Sequence, residues 1–204
     1  MLSGVVLAGG AGSRMGGEKG LVELCGRPMV LSVLDALSQV ADDITVAVGP
    51  GRGPEYRRVL GHGVAVVEDR AAGRGPLEGL RNAFREARHG SVAVAPCDVP
   101  FLRPDIVALL ARRAAGRDGA VPVVRGYLEP LVAVYMRGAG LAAFAEELAS
   151  GRGKVADALA RMDLLRVGED ELRAVDGQLL SFWNVNSKED LRRAEEALRG
   201  AGRR

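Results

Sequence analysis

The sequence contains few of the residues that metal centres and disulfide scaffolds require. There are only two cysteines, Cys25 and Cys97, which cannot form a disulfide framework. The two histidines, His62 and His89, are isolated, with no second histidine or cysteine at a ligand spacing. A zinc site is therefore not expected.

Aromatic residues and lysines are scarce as well. Aromatic side chains make up 4% of the chain, and basic and acidic residues are interspersed, with a formal net charge of +2. Without a basic stripe that carries exposed aromatics, nucleic-acid binding is not expected. Only three of the 28 basic residues are lysines, so Lys19, which lies in a glycine-rich segment, needs a functional explanation.

The chain also lacks a long apolar run, and it begins without the basic segment of a signal peptide. We therefore expect a cytoplasmic protein with no membrane segment. With 48% hydrophobic and 26% charged residues over 204 positions, the composition suits one globular domain that spans residues 1–204.

Short apolar runs alternate with amphipathic segments through the first half of the chain, which predicts a βαβ series. The predicted buried strands cover residues 4–8, 44–48, 64–67 and 91–95. The predicted helices begin near Pro28, Pro54, Leu77 and Pro104. The expected fold class is α/β, with three layers (α/β/α) and a mostly parallel, Rossmann-like sheet.

The second half is less regular, and part of its sheet is expected to be antiparallel. Strands are predicted near residues 120–124, 131–136, 164–167 and 179–183, and helices near 141–148 and 155–162. Ser187, with Asp190 three residues later, predicts a capping box that begins a final helix reaching about Leu198.

The glycine-rich segment from Leu7 to Lys19 follows the first strand, where backbone N–H groups can bind an anion. It does not match a dinucleotide-binding fingerprint, because Met15 stands where the third glycine is required. It does not match a Walker A loop either, because Gly20 stands where a hydroxyl residue should follow the lysine. The segment instead reads Leu7-Ala8-Gly9-Gly10, then Arg14-Met15-Gly16, then Lys19.

With this pattern the sequence resembles the nucleotidyltransferase superfamily that activates sugar phosphates and related acceptors. Within that superfamily it is most similar to the molybdenum cofactor guanylyltransferases. The resemblance spans nearly the whole chain. Five blocks match in order: the glycine-rich segment, VED with GPLEG (67–69 and 75–79), PCDVPFL (96–102), EPLVA (129–133) and FWNVN (182–186).

The resemblance implies transfer of GMP from GTP to the phosphate of molybdopterin, with Mg²⁺ as cofactor and release of pyrophosphate. Attack of one phosphate on another needs charge neutralisation and in-line positioning rather than a protein nucleophile. The lack of a plausible Ser-His-Asp or Cys-His arrangement fits this chemistry. The resemblance also allows transient contact with molybdoenzymes or other cofactor-maturation proteins.

The site residues that the resemblance implies fall in the loop and at strand ends. The nucleotide would contact Leu7, Ala8, Gly9, Gly10, Lys19, Asp69 and Asp98. Arg14 and Lys19 would clamp the departing pyrophosphate, since guanidinium and ammonium groups bind phosphates. Asp98 would be the magnesium ligand. The alternatives are a solvated Arg14 and aspartates that only cap turns.

Gly75, Pro76 and Asn186 are further candidates. Gly75 and Pro76 open a helix whose free N–H groups face the base or ribose, or else they form an ordinary helix start. Asn186 lies near the metal or the acceptor phosphate, or else it only shapes a turn together with Asn184, which is expected to hold backbone. Trp183 is expected either in the core or stacked on a pterin.

Several alternatives remain open at this stage. Glu18 stands where relatives commonly have Asp, and Glu129 stands where they often have His, a position that bears on the acceptor. Gly9 favours GTP, since the cytidylyl branch has alanine there. The other candidates are an enzyme that uses CTP on molybdopterin, one that uses GTP on another phosphorylated acceptor such as adenosylcobinamide phosphate, and a GTP-binding adaptor without turnover.

Overall fold

The structure is a computed structural model, and it describes residues 1–9, 17–69, 75–151 and 153–201. The strands are β1 Ser3–Leu7, β2 Glu23–Leu24, β3 Arg27–Pro28, β4 Asp43–Val48, β5 Ala65–Glu68, β6 Ser91–Pro96, β7 Gly119–Val124, β8 Tyr127–Leu128, β9 Ala133–Met136 and β10 Leu164–Val167. The α-helices are α1 Met29–Ser38, α2 Gly53–Leu60, α3 Pro76–Glu86, α4 Pro104–Arg113, α5 Arg137–Ala149, α6 Val155–Leu159, α7 Glu169–Arg173 and α8 Lys188–Ala201. Two 3-10 turns cover Lys19–Leu21 and Leu180–Phe182.

Eight of these strands form one sheet in the order β10-β7-β9-β6-β1-β4-β5, with β8 paired to β7. β1 is parallel to β4 and β6, β4 is parallel to β5, and β7 is parallel to β10. β9 runs antiparallel to both of its neighbours, β6 and β7. The prediction of a mostly parallel α/β sheet with a partly antiparallel second half is confirmed.

Alternate side chains of β1 enter two hydrophobic layers, one on each face of the sheet. Val6 packs in one layer with helical residues that include Val33 of α1 and Ile106 of α4. Val5 packs in the other layer with residues that include Phe84 of α3. The sheet therefore lies between two layers of helices, which explains why the consecutive apolar residues Val5, Val6 and Leu7 of β1 are all buried.

One predicted strand is wrong: residues 179–183 form a turn. Leu179 has a left-handed φ of 54°, and the second 3-10 turn follows it directly. The N–H of Ser181 donates to the buried Asp176 carboxylate (2.8 Å), and the Ser181 hydroxyl accepts the N–H of Arg103 (3.1 Å). These bonds take the place of the sheet ladder that a strand would need.

The helices of the second half also differ from the prediction at their boundaries. α5 begins at Arg137, one turn before the predicted start. The prediction missed this first turn because Gly138 and Gly140 interrupt the apolar pattern. α6 ends at Leu159 rather than at residue 162. α7 has only one apolar residue, Leu172, and therefore gives no periodic signal.

The predicted capping box at the start of the last helix is present. The Ser187 hydroxyl accepts the N–H of Asp190 (3.1 Å), and the Asp190 carboxylate accepts the N–H of Ser187 (3.0 Å). This reciprocal pair holds α8 next to the segment that ends at Asn186. Among the helices in the described ranges, none has the length and apolar character that crossing a bilayer requires.

The packing of α5 against α3 gives a test of the fold. Gly140 is buried, and a Cβ there would lie 2.6 Å from the Phe84 ring, whereas a Cβ at Gly138 of the same helix would meet no atom within 4 Å. We expect Gly140→Ala to lower the free energy of unfolding by about 1–2 kcal/mol, because overpacking outweighs the better helix propensity.

The matched control, Gly138→Ala, should be neutral or should stabilise the protein by up to about 1 kcal/mol. Urea unfolding followed by circular dichroism would measure both changes. Equal effects of the two substitutions would contradict the close approach of α3 and α5.

Candidate active site

The candidate site lies where β1, β4 and β6 end together. The N–H of Ala8, just past β1, donates to the carbonyl of Ala47 in β4 (2.7 Å). The N–H of Cys97, just past β6, donates to the carbonyl of Leu7 (2.9 Å). These bonds hold the loop after β1 beside Asp98, at the edge where ligands bind in open α/β sheets.

Only the two ends of the glycine-rich segment are described. Gly10 and Arg14 lie outside the described residues. Leu7 and Ala8 are buried, so any contact that they make with a ligand must come from their backbone. Gly9 is exposed, and a Cβ there would lie 3.4 Å from the backbone nitrogen of Gly49. Gly9 thus closely approaches the end of β4.

Lys19, Asp98 and Asn186 come together, although they are far apart in the sequence. The Lys19 ammonium forms an ion pair with the Asp98 carboxylate and donates a hydrogen bond to the Asn186 side-chain oxygen. The Asp98 carbonyl accepts the N–H of Val185 (2.8 Å), which ties the Asn186 segment to the end of β6. The side chains of Lys19 and Asp98 are 22% and 10% exposed, so the charged pair is largely desolvated.

Asp98 keeps one oxygen free of protein partners. Its Oδ2 pairs with Lys19, whereas Oδ1 is buried and accepts no hydrogen bond from the described residues. A buried carboxylate oxygen without a donor is costly unless a ligand or water meets it. No group of three or more potential metal-ligating His, Cys, Asp or Glu residues occurs in the described part of the chain.

Asp69 lies at the other side of β1, between the end of β5 and helix α3. Its N–H donates to the Val48 carbonyl (3.0 Å), and its carboxylate accepts a hydrogen bond from Asn82 (3.4 Å). Burial raises the pKa of Asp69 to about 6, and the neighbouring Glu78 adds to this rise. A Cβ at Gly9 would lie 3.7 Å from the Asp69 carboxylate, so Asp69 borders the glycine-rich segment.

Gly75 and Pro76 lie at the start of α3. Gly75 has a φ of 68° and precedes the first helical residue, Pro76. Residues 70–74, which lead to them from Asp69, are outside the described ranges. Both hypotheses for this pair, a nucleotide contact and an ordinary helix start, therefore remain predictions.

Tyr56 and the ion pair of Glu18 with Arg52 support the glycine-rich segment, and neither Tyr56 nor Arg52 was identified from sequence motifs. The fully buried Tyr56 donates its hydroxyl to the Ala8 carbonyl (3.2 Å). A Cβ at Gly20 would lie 2.6 Å from the Tyr56 hydroxyl, so only glycine fits there. Burial raises the pKa of Glu18, whose carboxylate pairs with Arg52 at 3.0 Å. Tyr56 thus contacts both ends of the glycine-rich segment.

Two adjoining cavities open beside Asp98, and three residues line both: Glu129, Phe182 and Asn184. The smaller cavity, about 180 Å³, reaches Asp98. The larger cavity, about 610 Å³, is also lined by residues that include Tyr127 and Trp183. The size of the larger cavity is typical of small-molecule sites.

Asn184 and Trp183 show where the sequence-based expectations need correction. Asn184 is exposed and makes no side-chain hydrogen bond with the described residues, so it does not hold backbone as expected. Trp183 stacks on Phe101, with ring centroids 5.3 Å apart and an interplanar angle of 13°, and it packs against the buried Leu24 and Val185. It also lines the larger cavity, and it therefore combines packing with access to that cavity.

The raised pKa of Asp69 predicts that its contribution to the free energy of unfolding depends on pH. Between pH 3.8 and about pH 6 the folded protein binds more protons at Asp69 than the unfolded chain does, so stability falls as pH rises through this window. Asp69→Asn removes this fall. The stability of the variant relative to the parent protein should therefore increase from pH 4 to pH 6 and then stay constant. Urea unfolding at several pH values measures this stability difference. A difference that does not change with pH would contradict the raised pKa of Asp69 in the folded protein.

Comparisons with known proteins agree with this geometry. Residues 4–165 match the model of the MobA-like NTP transferase domain. A probable molybdenum cofactor guanylyltransferase of Pelotomaculum thermopropionicum is 35% identical over 192 residues, which cover 94% of this chain and 91% of that protein. A molybdenum cofactor guanylyltransferase of Desulfosudis oleivorans is 33% identical over 204 residues, which cover 99% of this chain and 98% of that protein.

A solved structure is similar over the same extent. The crystal structure of molybdopterin-guanine dinucleotide biosynthesis protein A from Archaeoglobus fulgidus superposes with a TM-score of 0.83 and 30% sequence identity. The match covers 97% of this chain and 99% of that one. The resemblance that the sequence motifs indicated is confirmed. The chain belongs to the MobA-like NTP transferase family and is a nucleotidyltransferase.

Proposed function

We propose that this nucleotidyltransferase transfers GMP from GTP to the phosphate of molybdopterin and releases pyrophosphate, in the cytoplasm. The observation that carries the proposal is the contact of Lys19 with Asp98 and Asn186 at the strand ends, next to two cavities that can hold an acceptor. The relatives from P. thermopropionicum and D. oleivorans are named molybdenum cofactor guanylyltransferases, which supports this choice of substrates. The product would then pass to molybdoenzymes through transient contacts.

The nucleotide binds, in this proposal, between the glycine-rich segment and Asp69. Backbone groups from Leu7 to Gly10 approach the phosphates, where the absence of side chains at Gly9 and Gly10 leaves room. Lys19 and Arg14 neutralise the charge that develops on the leaving pyrophosphate. Lys19 is suitable because its ammonium is already held at the strand ends, so little rearrangement is needed to meet an anion.

Asp98 is the residue that would hold Mg²⁺. The buried Oδ1 without a protein partner fits this role, and Mg²⁺ in nucleotide sites is commonly held by one or two carboxylates together with substrate phosphates. The Asn186 amide oxygen, which also contacts Lys19, is a further oxygen donor next to Asp98. The bound cation would supply charge neutralisation at the phosphates.

In this proposal the residues of the chain position the acceptor phosphate for attack on the α-phosphorus. The acceptor phosphate is ionised at neutral pH, so its attack on the α-phosphorus needs no general base from the protein. The smaller cavity joins Asp98 to Glu129 and Asn184, and an acceptor that lies there has its phosphate next to the Lys19 cluster. Holding the two phosphates in line lowers the entropic part of the activation barrier.

The substrates are tested by pyrophosphate release from GTP, CTP, ATP and UTP in the presence of Mg²⁺, with molybdopterin, with adenosylcobinamide phosphate or with no acceptor. We expect release with GTP and molybdopterin together, and little with either alone. Preference for CTP, or for GTP with adenosylcobinamide phosphate, would keep the reaction class and reject these substrates. Binding of GTP without release for any pair would favour an adaptor.

Asp98→Asn tests the catalytic role of the carboxylate separately from nucleotide binding. The substitution keeps the shape but removes the charge that a cation would need, so turnover with GTP and molybdopterin should fall by about 100-fold or more. Binding of GTP, measured by calorimetry without Mg²⁺, should change less than about fivefold.

The matched control is Asp170→Asn, on the exposed first turn of α7, which should keep full turnover. A variant at Asp98 that retains more than a third of the parental rate would contradict the assignment of the carboxylate to the metal.

A further inference from the structure

Glu129 stands out because its backbone is fixed and its carboxylate is not used by the protein. It lies between β8 and β9, where its N–H donates to the Pro122 carbonyl (2.9 Å) and its own carbonyl accepts the N–H of Val132 (3.2 Å). The side chain is half-buried and lines both cavities. Within the described ranges, no ion pair or hydrogen bond reaches its carboxylate.

The cations near Glu129 do not neutralise it. Arg125 and Arg173 line the same larger cavity. The Arg173 guanidinium is already bound by Glu169 (3.0 Å) and by the Gly177 carbonyl (2.9 Å). Burial alone raises the pKa of Glu129, with no opposing contribution from a neighbouring charge. A half-buried acceptor group without donors is well suited to bind donors from a ligand.

The shape and charge of the two cavities limit what such a ligand can be. A carboxylate has two oxygens side by side, which match a pair of parallel N–H groups. Tyr127 and Trp183 line the larger cavity and offer aromatic surfaces on which a planar ring can lie. A phosphate would be repelled by Glu129, and it would therefore point away from Glu129 toward Lys19, which pairs with Asp98 in the lining of the smaller cavity.

We propose that Glu129 binds the amino group and ring N–H of the acceptor's 2-amino-4-oxopteridine ring, which lies in the larger cavity while the acceptor phosphate reaches Asp98 through the smaller one. The identity of the acceptor rests on the proposed function. Guanine carries the same pair of N–H groups, so the chemistry alone does not distinguish a pterin from the base of GTP. The location does, because Glu129 lines the cavities beside β9, whereas Gly9 and Asp69 border the opposite side of β1.

Binding of 6-hydroxymethylpterin, a fluorescent compound without a phosphate, tests this proposal without turnover. We expect the parent protein to quench its fluorescence saturably, and Glu129→Ala to weaken binding about tenfold or more. Glu129→Gln should weaken it less, because one amide oxygen still accepts a hydrogen bond. The matched control Glu86→Gln, at the exposed end of α3, should bind as the parent does. The affinity for GTP should be the same in all four proteins.

The same variants in the pyrophosphate assay separate the two proposals. With molybdopterin, Glu129→Ala should raise the acceptor KM by about the same factor and leave kcat and the KM for GTP nearly unchanged. Turnover with an unchanged acceptor KM and unchanged pterin binding would overturn the role of Glu129 and leave the proposed function intact. No turnover, with pterin binding that still depends on Glu129, would reject the proposed function and support the pterin site. Loss of GTP affinity in place of pterin affinity would also overturn the proposal.

Discussion

The parallel pairing of β1 with β4 on one side and with β6 on the other is the constraint on which the site depends. Leu7 is aligned with Ala47 and with Pro96, so all three strands end at the same level. Both faces of these strands are covered by helices, and their buried side chains are therefore mostly apolar, with Ser3 and Thr45 as buried polar exceptions. The carboxylates of the site lie in the loops beyond the strand ends: Asp98 is two residues past β6, and Asp69 directly follows β5.

The antiparallel strand β9 extends this edge toward the two cavities that Glu129 lines. Val94 of β6 is aligned with Ala133 of β9, so the start of β9 lies next to the end of β6. A parallel strand in this place would have carried the residues that precede it to the opposite edge. Because β9 is reversed, Glu129 and Pro130 line the same small cavity as Asp98. The antiparallel part of the sheet thus determines which residues lie beside Asp98.

Sequence reasoning was sufficient for the first half of the fold and for the residues at strand ends. Continuous apolar runs identify buried strands, the glycine-rich segment indicates Lys19, and Asp98 is indicated by its place after a buried strand and by the PCDVPFL block. The contact of Lys19 with Asn186 could not be predicted, because it depends on the turn at 180–182, which is stabilised by the buried Asp176 and not by a periodic pattern. Tyr56 was missed for a related reason. Its role depends on a tertiary hydrogen bond to Ala8 and on the close approach of Gly20, and neither has a local signal.

Under the proposed function, the residues that act on phosphates are separated from those that meet the rest of the acceptor. The first group follows β1 and β6, which are anchored in the middle of the sheet, and Asp98 is further tied to Val185. The second group is on the β8 hairpin and on the turn after α7. The β8 hairpin lies toward the edge of the sheet that β10 and β7 form. A change in the second group would alter the cavity walls and leave the pairing of β1 with its neighbours intact. The proposed function therefore allows acceptor choice to vary within this fold while the reaction at the phosphates is kept, and Glu129 belongs to the part that would vary.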